Sequence, residues 1–164
     1  MRTGVQVLRP PPGTGNLVED FVAHAARIHR AGLASMWVTQ PLDYDALTVL
    51  AVVGQAVPDL ELGTAVVATY PRHPLVLAAQ ALTTQSACAG RLVLGIGPSH
   101  ASIIEGTFGL GFERPFSHTR EYLKALRALL AGEEVSLQGE QVRAAPPVPP
   151  VSYTHLTLPT ILRV

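Results

Sequence analysis

The sequence is poor in cysteine and has no surplus of either charge. The single cysteine, Cys88, has no partner for an internal disulfide and cannot build a cysteine metal cluster. Twelve Lys and Arg residues balance twelve Asp and Glu residues, so the formal net charge is zero. Nucleic-acid binders and proteins of anionic membrane surfaces depend on a basic surplus, and the sequence argues against both classes. One unpaired thiol is typical of a reducing compartment, so we expect a cytoplasmic protein.

Long apolar runs are also missing. The longest stretches, Ala46–Val53 and Leu75–Ala79, are much shorter than the ~20 residues that a membrane-spanning helix needs. The first residues contain Arg2 and then a proline cluster at 10–12, without the apolar segment of a signal peptide. We therefore expect neither a membrane span nor a secretory leader.

The chain nevertheless has enough apolar residues for a core, since 48% are hydrophobic and 15% are charged. Short apolar runs alternate with segments of helical period, which predicts about four β–α units. The predicted strands are 4–8, 34–39, 60–69 and 92–96, and the helices begin near Asn16, Asp43 or Asp45, Pro74 and Ser117. A small hairpin around Gly139 follows. This alternation favours a parallel sheet covered by helices, and fits both a doubly wound sheet and a (β/α)8 barrel.

Residues with candidate chemistry follow the fourth predicted strand. The segment 95–100 (GIGPSH) lacks the third glycine of a dinucleotide-binding fingerprint, because His100 stands there. Glycine at the end of a buried strand lets the backbone approach a ligand, and Ser99 can bind an anion. A plain turn within a glycine-rich loop at 97–117 explains the same pattern. The role of His73 also has two interpretations, because its side chain can cap the next helix or face the carboxyl ends of the strands.

No metal site or catalytic triad is indicated. His24 and His29 lie five residues apart on one predicted helix, so they do not share a face. Cys88 at a helix end is typical of a small packed side chain. We predict no metal ligands and no Ser-His-Asp arrangement.

The composition changes near residue 144. Four prolines fall between 146 and 150, and the ten residues 151–160 read VSYTHLTLPT. This string is similar to the translation of a transposase adapter used in sequencing libraries. We therefore expect residues 146–164 to be a proline-rich break followed by a non-native, adapter-derived tail, of which Val151–Val164 packs against nothing. The alternative is a genuine β-strand that includes Tyr153, Leu156 and Leu158.

Residues 60–100, LELGTAVVATYPRHPLVLAAQALTTQSACAGRLVLGIGPSH, resemble the central signature of the luciferase-like monooxygenase superfamily. The segments AGLASMWVTQ before it and EGTFGLGFERPFSHTREYLKALRALLAGEEVSLQGE after it fit in order and spacing. Gln40 and the run DYDALT at 43–48 are similar to the branch that uses the deazaflavin coenzyme F420. The resemblance implies a (β/α)8 TIM barrel, of which residues 1–145 would be the truncated N-terminal half, since a complete barrel needs ~250 residues.

The resemblance also implies site residues at the carboxyl ends of the strands. In this family the third strand carries a bulge with a non-prolyl cis peptide bond behind the cofactor ring, and the matching bond here is Ala65–Val66. Many relatives place a histidine or glutamate where Gln40 ends the second strand, and a glutamine cannot act as a general base. Gln40 and His100 are the catalytic candidates. Cofactor binding is expected at Thr64, Ala65, Val66, Gly97, Pro98, Ser99 and His100.

The implied function is hydride transfer between F420 and an unknown organic substrate. An FMN-dependent monooxygenase is the alternative, and a non-catalytic half-barrel that only associates is a third. The loop that binds the cofactor phosphate in this family lies in the second half of the barrel, so we expect this chain alone to be inactive. We also expect self-association, with a homodimer as its simplest form, because unpaired edges at 5–8 and 92–96 would bind another chain and Val93 would face water.

Overall fold

The computed structural model describes residues 3–146 and 160–162. The strands are β1 (Gly4–Val7), β2 (Ser35–Val38), β3 (Glu61–Thr64), β4 (Val67–Ala68), β5 (Leu92–Gly97), β6 (Leu137–Gln138), β7 (Arg143–Ala144) and β8 (Thr160–Leu162). The helices are α1 (Leu17–Arg30), α2 (Ala46–Ala56), α3 (Pro74–Ala87), α4 (Ala101–Gly106) and α5 (Pro115–Ala131). None of these helices is long and apolar enough to cross a membrane.

The central sheet adds its strands in chain order. β1 pairs with β2, β2 with β3, and both β3 and β4 with β5, and every pair is parallel. A doubly wound sheet reverses its order at a switch point, whereas a barrel adds each new strand on the same side. The order therefore decides between the two architectures that the sequence left open. The predicted units form the N-terminal half of a (β/α)8 barrel.

The core lies between the sheet and helices α1, α2, α3 and α5. Its largest fully buried side chains come from both layers, with Met36, Leu62 and Leu94 from the strands and Phe21 and Leu50 from the helices. Fully burying one such side chain contributes about 1.5–3 kcal/mol. Residues alternate across each strand, so the opposite, concave face holds a different set, which includes Gln6, Trp37 and Gly95 around a hollow of about 430 Å³.

Three predicted helix starts are confirmed by their caps. The Asn16 side-chain oxygen accepts from the backbone N–H groups of Val18 and Glu19 at the start of α1. Asp45, not Asp43, caps α2. His73 caps α3, in which Pro74 takes the first turn. The predicted hairpin around Gly139 also forms, as the antiparallel pair β6–β7.

The segment 97–117 differs from the expected loop, because it contains α4 and the start of α5. Helix α4 has six residues, too few for a helical period to be visible in the sequence. Ser117 does not cap the last helix, which begins two residues earlier at Pro115 with Arg114 as its N-cap. Proline has the backbone angle of a first helical residue and no N–H group that needs a partner there, so it begins the helix.

The prediction that the tail packs against nothing is wrong for Thr160–Leu162. These residues form β8, which pairs in parallel with β5 in the register Leu94↔Thr160 and Ile96↔Leu162. The edge of β5 offers unpaired N–H and C=O groups that an extended segment can bind. Strand 92–96 therefore has neighbours along both edges, and Val93 is only 4% exposed rather than facing water. Tyr153, Leu156 and Leu158, on which the alternative depended, lie outside the described residues.

Shortening the chain to residue 159 will promote self-association, because it removes β8 and opens the edge of β5. Light scattering after size-exclusion chromatography, at several protein concentrations, measures the effect. A chain that ends at residue 162 keeps β8 and is the matched control. Equal masses for the two chains at every concentration would contradict the edge-covering role of β8.

Candidate functional site

A bulge interrupts the third strand of the barrel between β3 and β4. Three residues lie between Gly63 and Val67, whereas two lie between their partners Val93 and Ile96 on β5. The segment between β3 and β4 therefore contains one extra residue, which is the bulge that the family resemblance implied. The Ala65–Val66 peptide bond within it is cis, which confirms that prediction.

The Thr64 hydroxyl group replaces the hydrogen bonds that the bulge removes. Its Oγ1 donates to the carbonyl oxygen of Gly95 at 2.8 Å and accepts from the Gly95 N–H at 2.9 Å. Thr64 is 1% exposed. Its side chain is thus committed to the sheet and holds the bulge against β5.

The bulge and the end of β5 form a surface without charged side chains, which we call the glycine face and define as Ala65, Val66, Gly97 and Pro98. Ala65, Val66 and Pro98 are half-buried. A Cβ atom at Gly97 would lie 3.0 Å from Val66 Cγ2, tighter than most real contacts. Because residue 97 is a glycine, no side chain covers the backbone there, and a flat apolar group can approach it.

Ser99 and His100 continue from the glycine face into α4. Ser99 has a left-handed backbone (φ 69°), which turns the chain sharply after β5. His100 is exposed and is the N-cap residue of α4, but its side chain makes no cap hydrogen bond. The structure thus brings Gly97 next to Val66 of the bulge, with Thr64 bonded to Gly95, while Ser99 and His100 lie on the chain that leaves β5.

A cavity of about 510 Å³ lies at the carboxyl ends of the strands. Three segments of chain line it: 40–45 after β2, 67–72 around the end of β4, and 99–108 in and after α4. Ser99 is the one predicted cofactor residue in this lining. Carboxyl ends of barrel strands are where active sites of this architecture lie.

Gln40 lies in the wall of this cavity, but its amide group is bonded to the backbone. Its Oε1 accepts from the Ala46 N–H at 2.9 Å. Its Nε2 donates to the carbonyl oxygens of Tyr44 at 2.6 Å and Pro41 at 2.9 Å. Gln40 therefore shapes the loop between β2 and α2.

An ion pair joins two walls of the cavity. Arg72 Nη2 donates to Asp45 Oδ2 at 2.9 Å, while Asp45 Oδ1 accepts from the N–H and hydroxyl groups of Thr48, each at 2.8 Å. Burial raises the pKa of Asp45, but the bonds from Thr48 and Arg72 outweigh it and hold the pKa below its ordinary value. Asp45 thus connects the start of α2 to the loop after β4.

Both ring nitrogens of His73 make hydrogen bonds, so of its two predicted roles the structure supports the helix cap. Nδ1 accepts from the Leu75 N–H at 3.3 Å, and Nε2 donates to the carbonyl oxygen of Arg143 at 2.8 Å. The same ring therefore begins α3 and anchors the β6–β7 hairpin.

His118, for which no role was predicted from the sequence, lies in α5 and is 7% exposed. Its Nε2 lies 3.0 Å from Thr69 Oγ1, and its ring stacks on Tyr70. The partners are 49 residues apart in the chain, and no local pattern marks such a contact.

Neither metal nor thiol chemistry is supported. Within residues 3–146, the part whose side chains are described, no group of three His, Cys, Asp or Glu residues could hold a metal ion. Burial raises the pKa of the Cys88 thiol to about 11, so this cysteine stays protonated and packed.

The chain matches the family model described as luciferase-like monooxygenase over residues 2–162. It is 30% identical over 127 residues to 5,10-methylenetetrahydromethanopterin reductase of Methanolobus tindarius, covering 74% of this chain and 38% of that protein. It is 28% identical over 134 residues to the F420-dependent glucose-6-phosphate dehydrogenase of Amycolatopsis mediterranei, covering 74% and 40%. The chain thus spans about two fifths of the length of these curated relatives.

Solved structures share the fold at lower identity. The monooxygenase RslO1 from Streptomyces bottropensis superimposes with a TM-score of 0.85 at 20% identity, over 99% of this chain and 53% of that one. The oxygenating constituent of 3,6-diketocamphane monooxygenase from Pseudomonas putida, in complex with FMN, gives 0.74 at 19% identity, over 90% and 44%. The likeness covers about half of each of these structures.

Replacing Gly95 by alanine will destabilise the bulge, because the added Cβ would overlap the carbonyl oxygen of Thr64. We expect a loss of about 2 kcal/mol or more in the free energy of unfolding, measured by urea denaturation. Gly106→Ala is the control, since no heavy atom lies within 4 Å of a Cβ there. Equal stability of the two variants would show that Thr64 and β5 are not in tight contact.

Asp45→Ala will cost about 1–2 kcal/mol, because it removes both a helix cap and an ion pair. Asp45→Asn keeps the cap and loses only the charge, so it will cost less. The folded pKa of Asp45 is lowered, so the stability it contributes is present above pH ~4 and is lost as the pH falls through the folded pKa. Urea titrations of both variants at several pH values measure this. Asp43→Asn, at an exposed ion pair with Arg9, should change little, and an equal loss there would contradict the assignment.

Proposed function

We propose that this chain, which belongs to the luciferase-like monooxygenase family, is the N-terminal half of an F420-dependent oxidoreductase barrel. The reaction would be hydride transfer between the deazaflavin and an organic substrate. The F420-dependent relative supports this choice of cofactor. An FMN-dependent monooxygenase is the second candidate, favoured by the structural neighbour in complex with FMN.

The glycine face is the observation that carries the proposal. It joins a bulge to a glycine at the carboxyl end of β5, and a side chain at 97 would crowd Val66. A planar ring system needs such a surface, where neither charge nor side-chain bulk holds it away from the backbone. The residues present therefore fit a deazaflavin or flavin ring, with Val66, Gly97 and Pro98 as the contacts we propose.

The cofactor supplies the hydride chemistry, and the chain supplies position and a proton-carrying group. We assign the second role to His100. Its ring is exposed beside Ser99, and it has no hydrogen-bond partner among residues 3–146. Gln40 takes a positioning role instead, since its amide is already bonded to three backbone groups.

Two partners follow from the same geometry. The cavity of about 510 Å³ is large enough for a small organic substrate next to the glycine face. Within the described strands, β1 pairs only with β2, so its other edge is open to a second copy of the chain. We therefore propose a small-molecule substrate and a homodimer.

Binding of the bare ring systems will distinguish the candidate functions without depending on contacts to a cofactor phosphate. We expect the 164-residue chain to bind 5-deazariboflavin more tightly than riboflavin, measured by fluorescence titration. Gly97→Val places bulk on the glycine face and should weaken binding at least ~10-fold, which corresponds to the loss of about 1.4 kcal/mol.

Gly111→Val is the matched control, because a Cβ there meets no heavy atom within 4 Å. Tighter binding of riboflavin would favour the FMN-dependent monooxygenase. Binding of neither ring would leave a half-barrel that only associates. Equal binding by both valine variants would place the ring away from Gly97.

A further inference from the structure

The loop 69–73, which we call the rim loop, connects the glycine face to the rest of the barrel. It begins directly after β4, and the Thr69 N–H donates to the carbonyl oxygen of Gly97 at 2.9 Å. The position of Thr69 therefore sets how the bulge and the end of β5 lie relative to each other. Whatever holds Thr69 also holds the surface on which we propose that the cofactor ring lies.

A buried pair of side chains holds Thr69 from the far side. His118 Nε2 lies 3.0 Å from Thr69 Oγ1, and the two residues are 7% and 1% exposed. This contact joins α5 to the rim loop. Thr69 is thus bonded in two directions, by its backbone to Gly97 and by its hydroxyl to His118.

The His118 ring also supports the neighbouring loop through a column of aromatic rings. It stacks on Tyr70 with centroids 3.9 Å apart and planes 11° apart, and Tyr70 lies 4.9 Å from Phe112. The Tyr70 hydroxyl donates to the carbonyl oxygen of Glu113 at 2.7 Å. The imidazole therefore contacts the loop after β4 directly, and it supports the loop after α4 through Tyr70.

The surroundings favour a neutral imidazole. Burial lowers the pKa of His118, and the charge of Glu121 on the same helix acts in the opposite direction with a smaller effect. The groups packed against the ring are the Thr69 hydroxyl and the phenols of Tyr70 and Tyr122, none of which carries a balancing negative charge. A proton on His118 would put a charge into the contact with the rim loop, which Glu121 offsets only in part.

We infer that His118 is a positioning residue for the cofactor site, and that its ring holds Thr69 and Tyr70 where the glycine face needs them. His118 does not touch the ligand in this scheme; it acts through Thr69 and the Thr69–Gly97 hydrogen bond. Only the measurement of ring binding rests on the proposed function.

The direction of the pH effect follows from proton linkage. A histidine whose pKa is lowered by folding takes up its proton more readily in the unfolded chain. The free energy of unfolding therefore decreases as the pH drops below the ordinary pKa of histidine. In the folded chain, charging the ring favours its movement toward water and away from Thr69. Ring binding and the hydrogen-exchange protection of the Thr69 amide should therefore decrease together on acidification.

The test measures both quantities on the full chain between about pH 5 and pH 8, the range in which histidine titrates. For the unaltered chain we expect the dissociation constant of 5-deazariboflavin to rise about tenfold toward pH 5, with faster exchange of the Thr69 amide. His118→Gln keeps a hydrogen-bonding side chain that does not titrate, so both pH dependences should disappear. His29→Gln, at an exposed histidine of α1, should leave both unchanged.

A second pair of variants keeps the inference testable should His118→Gln fail to fold. Thr69→Val removes the hydroxyl and retains the shape, and should accelerate exchange of the residue-69 amide and weaken ring binding about fivefold, as expected for one hydrogen bond. Thr69→Ser should restore both. Unchanged amide exchange in Thr69→Val, or a pH dependence that persists in His118→Gln, would overturn the positioning role.

Failure of the proposed function gives a different result. If the unaltered chain binds neither ring at any pH, the cofactor assignment fails. The exchange of the Thr69 amide, with its dependence on His118, still decides the structural link in that case.

Discussion

The sheet depends on the Thr64 hydroxyl group, which bonds to β5 where one extra residue interrupts the third strand. An interrupted ladder leaves buried N–H and C=O groups without partners, which costs free energy in the interior. Thr64 Oγ1 serves both polar groups of Gly95, so β5 stays in contact with the bulge. The glycine face, the start of the rim loop and the entry to α4 all take their positions from that contact.

Much of the architecture can be predicted from local patterns in the sequence. Alternating apolar runs predict the β–α units, while Asn16 and His73 mark helix starts by side-chain capping, which is a short-range effect. Strand order depends on contacts between distant segments, and the residue pattern alone left barrel and doubly wound sheet equally open. The resemblance to a family supplied the barrel and placed the bulge at Ala65–Val66, which the structure confirms.

The parts that escaped prediction share a physical origin in long-range contacts. His118 has a role because Thr69, 49 residues away, lies against it, and a lone histidine in an amphipathic helix gives no such sign. β8 forms because the edge of β5 is open, not because its own sequence demands a strand. Gln40 is a similar case, since only the folded loop shows that its side-chain amide is hydrogen-bonded to the backbone.

The bonds of Gln40 have a consequence for how such a protein can change over time. The conformation of loop 41–45 is held by an amide that precedes the loop and by the cap at its last residue, Asp45. Leu42, between these anchors, is 65% exposed and lines the cavity. Substitutions at 42 can therefore accumulate with little effect on folding while they alter the wall that a substrate meets. A scaffold arranged in this way can acquire new substrates by drift at a few positions, because the anchors and the variable wall are different residues.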